Sequence, residues 1–197
     1  MSGLSTTVAT LAGSWLLAAA LSGSSPAVSA QAVTQPGDDQ ALQSLFKALS
    51  DYVAMKGRLH QEVPQLKPNS EAREIATASD ALARAVMSAR PKARQGDFFD
   101  KQSSQVITRR LREAIKANHL EADLAAIDDE PPRVVAPRVH LRFPDAAQMA
   151  TMPPSLLRVL PSLPEGLEYR IVGQSLVLRD VGAALVLDLI PQAIRVK

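Results

Sequence analysis

The chain has 197 residues, with 22 lysines and arginines, 20 aspartates and glutamates, and no cysteine. Apolar residues make up 46% of it and aromatic residues only 4%. This length and apolar content suit one domain, and the missing cysteine excludes disulfides, thiolate metal sites and a cysteine nucleophile. The composition itself indicates no particular reaction.

The first 37 residues carry no charged side chain and contain a fourteen-residue apolar run, Val8 to Leu21. A membrane-spanning helix needs about twenty such residues, whereas a signal-peptide core is shorter. Small residues after this run have the spacing that a signal peptidase reads, so we expect cleavage after Ala30 or Ala32. We predict a signal peptide over 1–32, a disordered spacer over 33–37, and an exported protein, periplasmic or secreted. After signal removal we expect no transmembrane span. The missing basic residue before the run leaves a buried helix of a cytosolic domain as the alternative.

Residues 38–130 show the apolar period of amphipathic helices. The first predicted helix starts at Asp38 and ends before Pro64; the second follows a turn capped at Ser70 and ends before Pro91. The third has Asp97 as its N-cap and runs to about residue 118, with a short helix around 120–127. The predicted apolar stripes are Leu42, Leu45, Phe46, Leu49, Tyr52, Val53 and Leu59; then Ala72, Ile75, Ala76, Leu82, Ala83 and Val86; then Phe99, Val106, Ile107, Leu111, Ala114 and Ile115.

Residues 131–162 are rich in proline and are predicted to form a crossover, extended over 134–143 and with a short helix starting at Pro153–Pro154. Residues 163–197 then show three strand-like pieces, 169–172, 176–178 and 185–190, with a tight turn at Gly173–Gln174. Alternation predicts a buried face made of Tyr169, Ile171, Leu176, Leu178, Leu185 and Leu187. It also places Asp180 and Asp188 at polar positions or strand ends. The predicted fold class is therefore α+β, with an N-terminal helical hairpin or three-helix unit followed by a small antiparallel β-meander.

This C-terminal segment reads LPEGLEYRIVG over 163–173, LVLRD over 176–180 and LVLDLI over 185–190. It resembles the terminal β-module of small exported bacterial proteins of unknown function and, more distantly, that of periplasmic nickel/cobalt-homeostasis accessory proteins, over about thirty residues. Gln174 stands where that family favours Asn or Asp, and the family's upstream stretches rich in histidine and aromatics are missing. The resemblance implies an envelope location and a β-hairpin module, but no metal function and no catalytic residue.

The residues that could carry chemistry are scattered. His119 and Asp123 could share a helix face, but zinc needs a third strong ligand, and the acidic run 128–130 lacks the alternating spacing of a calcium loop. Gly-x-Ser-x-Gly, Ser-x-x-Lys and glycine-rich phosphate loops are absent from the sequence. We therefore predict no catalytic, metal or cofactor-binding residue and no cofactor. A secreted hydrolase with a dispersed active site remains the alternative.

Charge is unevenly distributed along the chain. Nine basic and three acidic residues lie between Arg84 and Lys116, whereas five acidic and no basic residues lie between Ala117 and Glu130. The third helix carries a possible anion-binding face, predicted to point into solvent: Arg109, Arg110, Arg112 and Lys116. Such a face suits another envelope protein or an anionic lipid surface, and the alternative is a solvated face balanced by the acidic stretch.

No aromatic residue is interleaved with these basic side chains, and an exported protein does not meet DNA, so we predict no nucleic-acid partner. The sequence therefore favours an exported cell-envelope (periplasmic) protein that is a non-catalytic binding or structural module. If the signal-peptide prediction is wrong, a cytosolic basic-helix protein that binds nucleic acid becomes the alternative.

Overall fold

The computed structural model describes residues 37–129, 136–143 and 150–195. Within these ranges, helices occupy the N-terminal part and an antiparallel sheet occupies the C-terminal part, which confirms the predicted α+β class. The predicted signal peptide, its cleavage residues Ala30 and Ala32, and all but the last residue of the predicted spacer lie outside the described residues.

Four helices precede the sheet: α1 is Asp38–Gln61, α2 is Ala72–Ala89, α3 is Lys101–Ala117 and α4 is Glu121–Asp129. Helix α1 packs against both α2 and α3. The predicted stripe of α3 is entirely buried, as are the α1 residues from Leu42 to Tyr52 that recur every three or four positions. The prediction is wrong for Phe46, Val53, Ala72, Ile75 and Ala76, which are exposed. Phe46 and Val53 lie at the margin of the α1 stripe, whereas Ala72, Ile75 and Ala76 lie in the first turns of α2, before its first buried residue, Ala78.

Two of the predicted capping residues are also wrong. Helix α3 is capped by Asp100, whose carboxylate accepts a 2.8 Å hydrogen bond from the Ser103 N–H. Asp97 instead closes the preceding turn by accepting from the Arg94 N–H at 3.1 Å. Phe98 and Phe99, which follow it, are buried in the main core before the helix begins. Helix α2 starts with a capping box in which the Glu71 N–H donates to the Glu74 carboxylate at 2.8 Å.

The sheet has four strands in the order β1-β2-β3-β4, all antiparallel. They are β1, Ala150–Thr151; β2, Leu167–Val172; β3, Ser175–Asp180; and β4, Leu185–Ile190, with the short helix α5, Pro154–Leu157, between β1 and β2. Strand β1 comes from the predicted crossover, so the sheet has one strand more than the meander that the sequence predicts. Helix α5 confirms the short helix expected at Pro153–Pro154.

The two sides of the sheet contact different partners. The six predicted core residues of the strands are all buried, and they pack with the helices in the main core. A second, smaller cluster consists of Phe143, Val172, Val177, Val186 and Leu189. It is completed by the segment 136–143, which runs beside β4 through hydrogen bonds from the His140 N–H to the Val186 carbonyl, 2.9 Å, and from the Phe143 N–H to the Ala184 carbonyl, 2.8 Å.

Asp180 lies at the end of β3, which agrees with the prediction, whereas Asp188 lies inside β4. The expectation of polar positions is wrong for both, since their carboxylates are completely buried. Asp180 accepts hydrogen bonds from the Tyr52 hydroxyl and the Lys56 ammonium of α1. Asp188 accepts from backbone N–H groups of the α2–α3 connection, namely those of Gly96, Phe98 and Phe99. A buried carboxylate is tolerated when such donors replace its water, so these two aspartates attach the helices to the sheet.

Candidate functional site

Helix α3 has a buried face and a charged face. Its apolar residues fall on one side and pack into the main core, which leaves the opposite side to polar residues. At 3.6 residues per turn, Lys101, Arg112, Lys116 and Arg109 fall within an arc of about 80°, and they extend over about 22 Å of the helix axis. They also border a surface hollow that Gln105 and Thr108 help to line. We call these four residues the cationic strip.

Three members of the strip point into solvent. Lys101, Arg112 and Lys116 are exposed, and none of the ion pairs among the described residues involves them. Arg112 and Lys116 belong to the predicted anion-binding face, and Lys101 is an addition to it. The helical wheel places Lys101 beside Arg112, because eleven residues make just over three full turns.

The fourth member, Arg109, lies at the edge of the strip and is partly neutralised. Its Nη2 atom lies 2.6 Å from Asp38 Oδ1, and Asp38 is 95% buried at the start of α1. The expectation that Arg109 points freely into solvent is therefore wrong, because the start of α1 supplies a carboxylate directly beside it.

Arg110 does not belong to the strip. Its Nε and Nη2 atoms both contact Asp38 Oδ2, at 3.2 and 2.9 Å, and its side chain is only 15% exposed. Two guanidinium groups thus hold one buried carboxylate, which joins α3 to α1. The predicted place of Arg110 in the anion-binding face is wrong, because Arg110 lies about half a turn from Lys101 and is paired with Asp38.

The three histidines do not form a common site among the described residues. His60 and His119 are exposed, and His140 is partly buried in the segment beside β4. Among residues 37–129, 136–143 and 150–195, no three His, Asp or Glu side chains are grouped so that they could hold a metal ion. The acidic residue Glu130 lies outside the described residues, and the side chains of Asp128 and Asp129 are not described.

The described helices contain no segment that is both long and apolar enough to cross a membrane. Comparisons with protein-family models, with curated proteins and with solved structures found no match for the chain. The resemblance of residues 163–190 to exported β-modules therefore stays a prediction.

Proposed function

We propose that this protein is an exported, non-catalytic binding module of the cell envelope, and that its cationic strip binds anionic phospholipid headgroups. The observation that carries the proposal is the strip itself. Three exposed cations without ion-pair partners among the described residues lie on one face of α3, and the fold holds that face outward by burying the opposite one.

The shape of the strip favours an extended anionic surface over a small anion. The charges are spread along about 22 Å of the helix axis, so one phosphate cannot contact them together, whereas a plane of headgroups can. Each lysine or arginine near an anionic membrane contributes about 1 kcal/mol of binding free energy. Large apolar side chains are missing between the cations, since Gln105 and Thr108 fill the intervening positions. The binding is therefore peripheral, electrostatic and reversible.

Export is supported by the apolar run Val8–Leu21 and by the small residues that end at Ala30 and Ala32. The test is mass spectrometry of the N-terminus of the native protein after cell fractionation. We expect a mature chain that starts at Gln31 or Val33 in the envelope or the medium. A cytosolic form that keeps Met1 or Ser2 would overturn export.

The lipid proposal is tested by co-sedimentation with vesicles that contain phosphatidylglycerol and with vesicles of phosphatidylcholine alone. We expect binding to the anionic vesicles only. The variant that combines Lys101→Gln, Arg112→Gln and Lys116→Gln should lose about 100-fold in affinity, since three contributions of about 1 kcal/mol are removed.

The matched control removes three exposed arginines from other surfaces, Arg58→Gln, Arg73→Gln and Arg84→Gln, and changes the net charge by the same amount. This variant should keep the vesicle affinity of the parent protein. Equal losses in both variants would show that net charge alone matters, and absence of binding to anionic vesicles would overturn the proposal.

A further inference from the structure

A cleft lies at the free edge of the sheet, on a different part of the molecule from the cationic strip. It has a volume of about 350 Å³. Its walls are the end of β1, helix α5 with the loop that follows it, and the first four residues of β2. The apolar part of the lining consists of Met152, Leu157, Leu160 and Leu163.

Strand β1 is too short to cover the edge of β2. It pairs only with Arg170 and Ile171, whereas β3 pairs with β2 along its whole length from Leu167 to Val172. Strand β1 stops because Pro153 and Pro154 follow it and start α5. Among the described strands, the stretch from Leu167 to Tyr169 therefore has a neighbour on one side only. An open strand edge of this kind is a template for an added strand.

Residues from both faces of β2 line the cleft, so the cleft follows the edge of the strand. Leu167 and Tyr169 belong to the main core, and Glu168 and Arg170 alternate with them and lie on the other face. In paired strands, opposite residues share a face. The core side of the cleft presents Leu157, which is 45% exposed, so an added strand would place an apolar side chain there.

The charged residues that line the cleft are Glu168 and Arg170, which are paired at 2.9 Å. Glu168 is also paired, at 2.7 Å, with Arg179, whose side chain is only 5% exposed and lies outside the lining, so this group of three side chains has one positive charge in excess. The Nε atom of Arg170 is buried and has no hydrogen-bond partner in the described part of the chain. A carboxylate on an added strand would compensate this charge.

We infer that this cleft, bounded by the β2 edge and α5, binds an extended segment of a partner protein in which apolar side chains alternate with acidic ones. The segment adds to β2 as a short antiparallel or parallel strand. Its apolar side chains contact Leu157 and Leu160, and its acidic side chains face Arg170. Backbone hydrogen bonds supply affinity, and the alternation of side chains supplies selectivity.

The experiment uses the whole protein and two synthetic peptides, one in which valines alternate with glutamates and one with lysines in place of the glutamates. Amide resonances of residues 167–170 are followed by NMR during each titration. We expect the glutamate peptide to shift them and to bind about tenfold more tightly than the lysine peptide, because an ion-paired hydrogen bond is exchanged for repulsion.

Two variants separate the apolar contribution from the charged one. Leu157→Glu should weaken binding of the glutamate peptide about tenfold. The control Ile75→Glu, at a residue of similar exposure on α2, should leave the affinity for this peptide unchanged. Arg170→Gln should reduce the preference for the glutamate peptide over the lysine peptide. The inference is overturned if neither peptide shifts the resonances of residues 167–170, or if Leu157→Glu and Ile75→Glu bind the glutamate peptide equally well. It is also overturned if these resonances shift with protein concentration alone, because the edge would then bind a second copy of this chain.

Discussion

The hydroxyl of Tyr52 donates a 2.6 Å hydrogen bond to Asp180 Oδ2, although 128 positions separate the two residues in the sequence. Lys56, one turn further along α1, contacts both oxygens of the same carboxylate at 2.9 and 2.7 Å. Burial and the charge of Asp180 raise the pKa of Tyr52, so the hydroxyl remains a donor. This group of three side chains connects α1 to the end of β3 and thus fixes the helical part on the sheet.

Removing the Tyr52 hydroxyl should therefore destabilise the fold. Tyr52→Phe should lower the free energy of unfolding by about 1.5–3 kcal/mol, the range for a hydrogen bond to a charged group. The comparison is Tyr169→Phe. The Tyr169 hydroxyl donates at 3.1 Å to a neutral acceptor, the Pro161 carbonyl, so this substitution should lower the free energy of unfolding by only about 1 kcal/mol. Urea unfolding measures both, and an equal or larger loss for Tyr169→Phe would contradict this ranking.

Asp188 should be sensitive to the loss of its charge. It accepts from the N–H groups of Gly96, Phe98, Phe99 and Leu189, at distances between 2.8 and 3.2 Å. Asp188→Asn places an amide group against these donors and should cost roughly 3 kcal/mol. Asp39→Asn, at an exposed residue of α1, is the control and should stay within about 0.5 kcal/mol. A small effect of Asp188→Asn in chemical denaturation would show that the connection does not depend on this carboxylate.

Neighbouring arginines of α3 should respond differently to the same substitution. Arg110→Gln leaves Asp38 with one partner and should destabilise the protein by about 1–3 kcal/mol, because a buried charge loses hydrogen bonds. Arg112→Gln removes an exposed side chain and should change the free energy of unfolding by less than about 0.5 kcal/mol. Thermal or urea unfolding of the two variants measures this difference in stability. Equal stabilities would contradict the structural role of Arg110.

Local patterns in the sequence predict the elements and much of the core, because helix and strand periods depend on neighbours along the chain. They predict Leu45, Ile107 and Leu178 correctly as core residues. They fail for Phe46, whose exposure depends on how far α2 and α3 extend around α1. Strand β1 is missed as well, since two residues are too few to show alternation.

The candidate site was predicted only in part, and the reason is distance along the chain. Arg109 and Arg110 lie 71 and 72 positions from Asp38, so nothing near them in the sequence indicates their partner. The buried positions of Asp180 and Asp188 have the same cause, because their donors come from α1 and from the α2–α3 connection.

The stability of the protein should depend on the protonation of His140. Burial lowers the pKa of His140, the charge of Arg90 lowers it further, and Asp97 opposes this change. As pH falls through about 6.5, the ordinary value, the unfolded chain takes up this proton before the folded one does, so the free energy of unfolding falls. This contribution is present above the ordinary pKa and is lost as pH decreases toward the folded value.

The variant that tests this dependence is His140→Asn, since asparagine tolerates the φ of 66° found at this position. The free energy of unfolding in urea is measured at about pH 7.5 and about pH 5.5. Its decrease between these two pH values should be smaller for the variant than for the parent protein. His60 and His119 remain in both proteins, so their contribution cancels. An identical pH dependence in the two proteins would contradict the assignment to His140.

If the cationic strip of α3 binds an anionic lipid surface by charge, as we propose, its affinity has to depend on salt. The most direct measurement is the affinity for phosphatidylglycerol vesicles as NaCl rises from about 50 to about 200 mM, because added salt shortens the range of the attraction between exposed charges. The parent protein should bind several-fold more weakly at the higher salt concentration, and the Lys101→Gln, Arg112→Gln, Lys116→Gln variant should show little dependence on salt. An affinity of the parent protein that stays constant over this range would contradict the account.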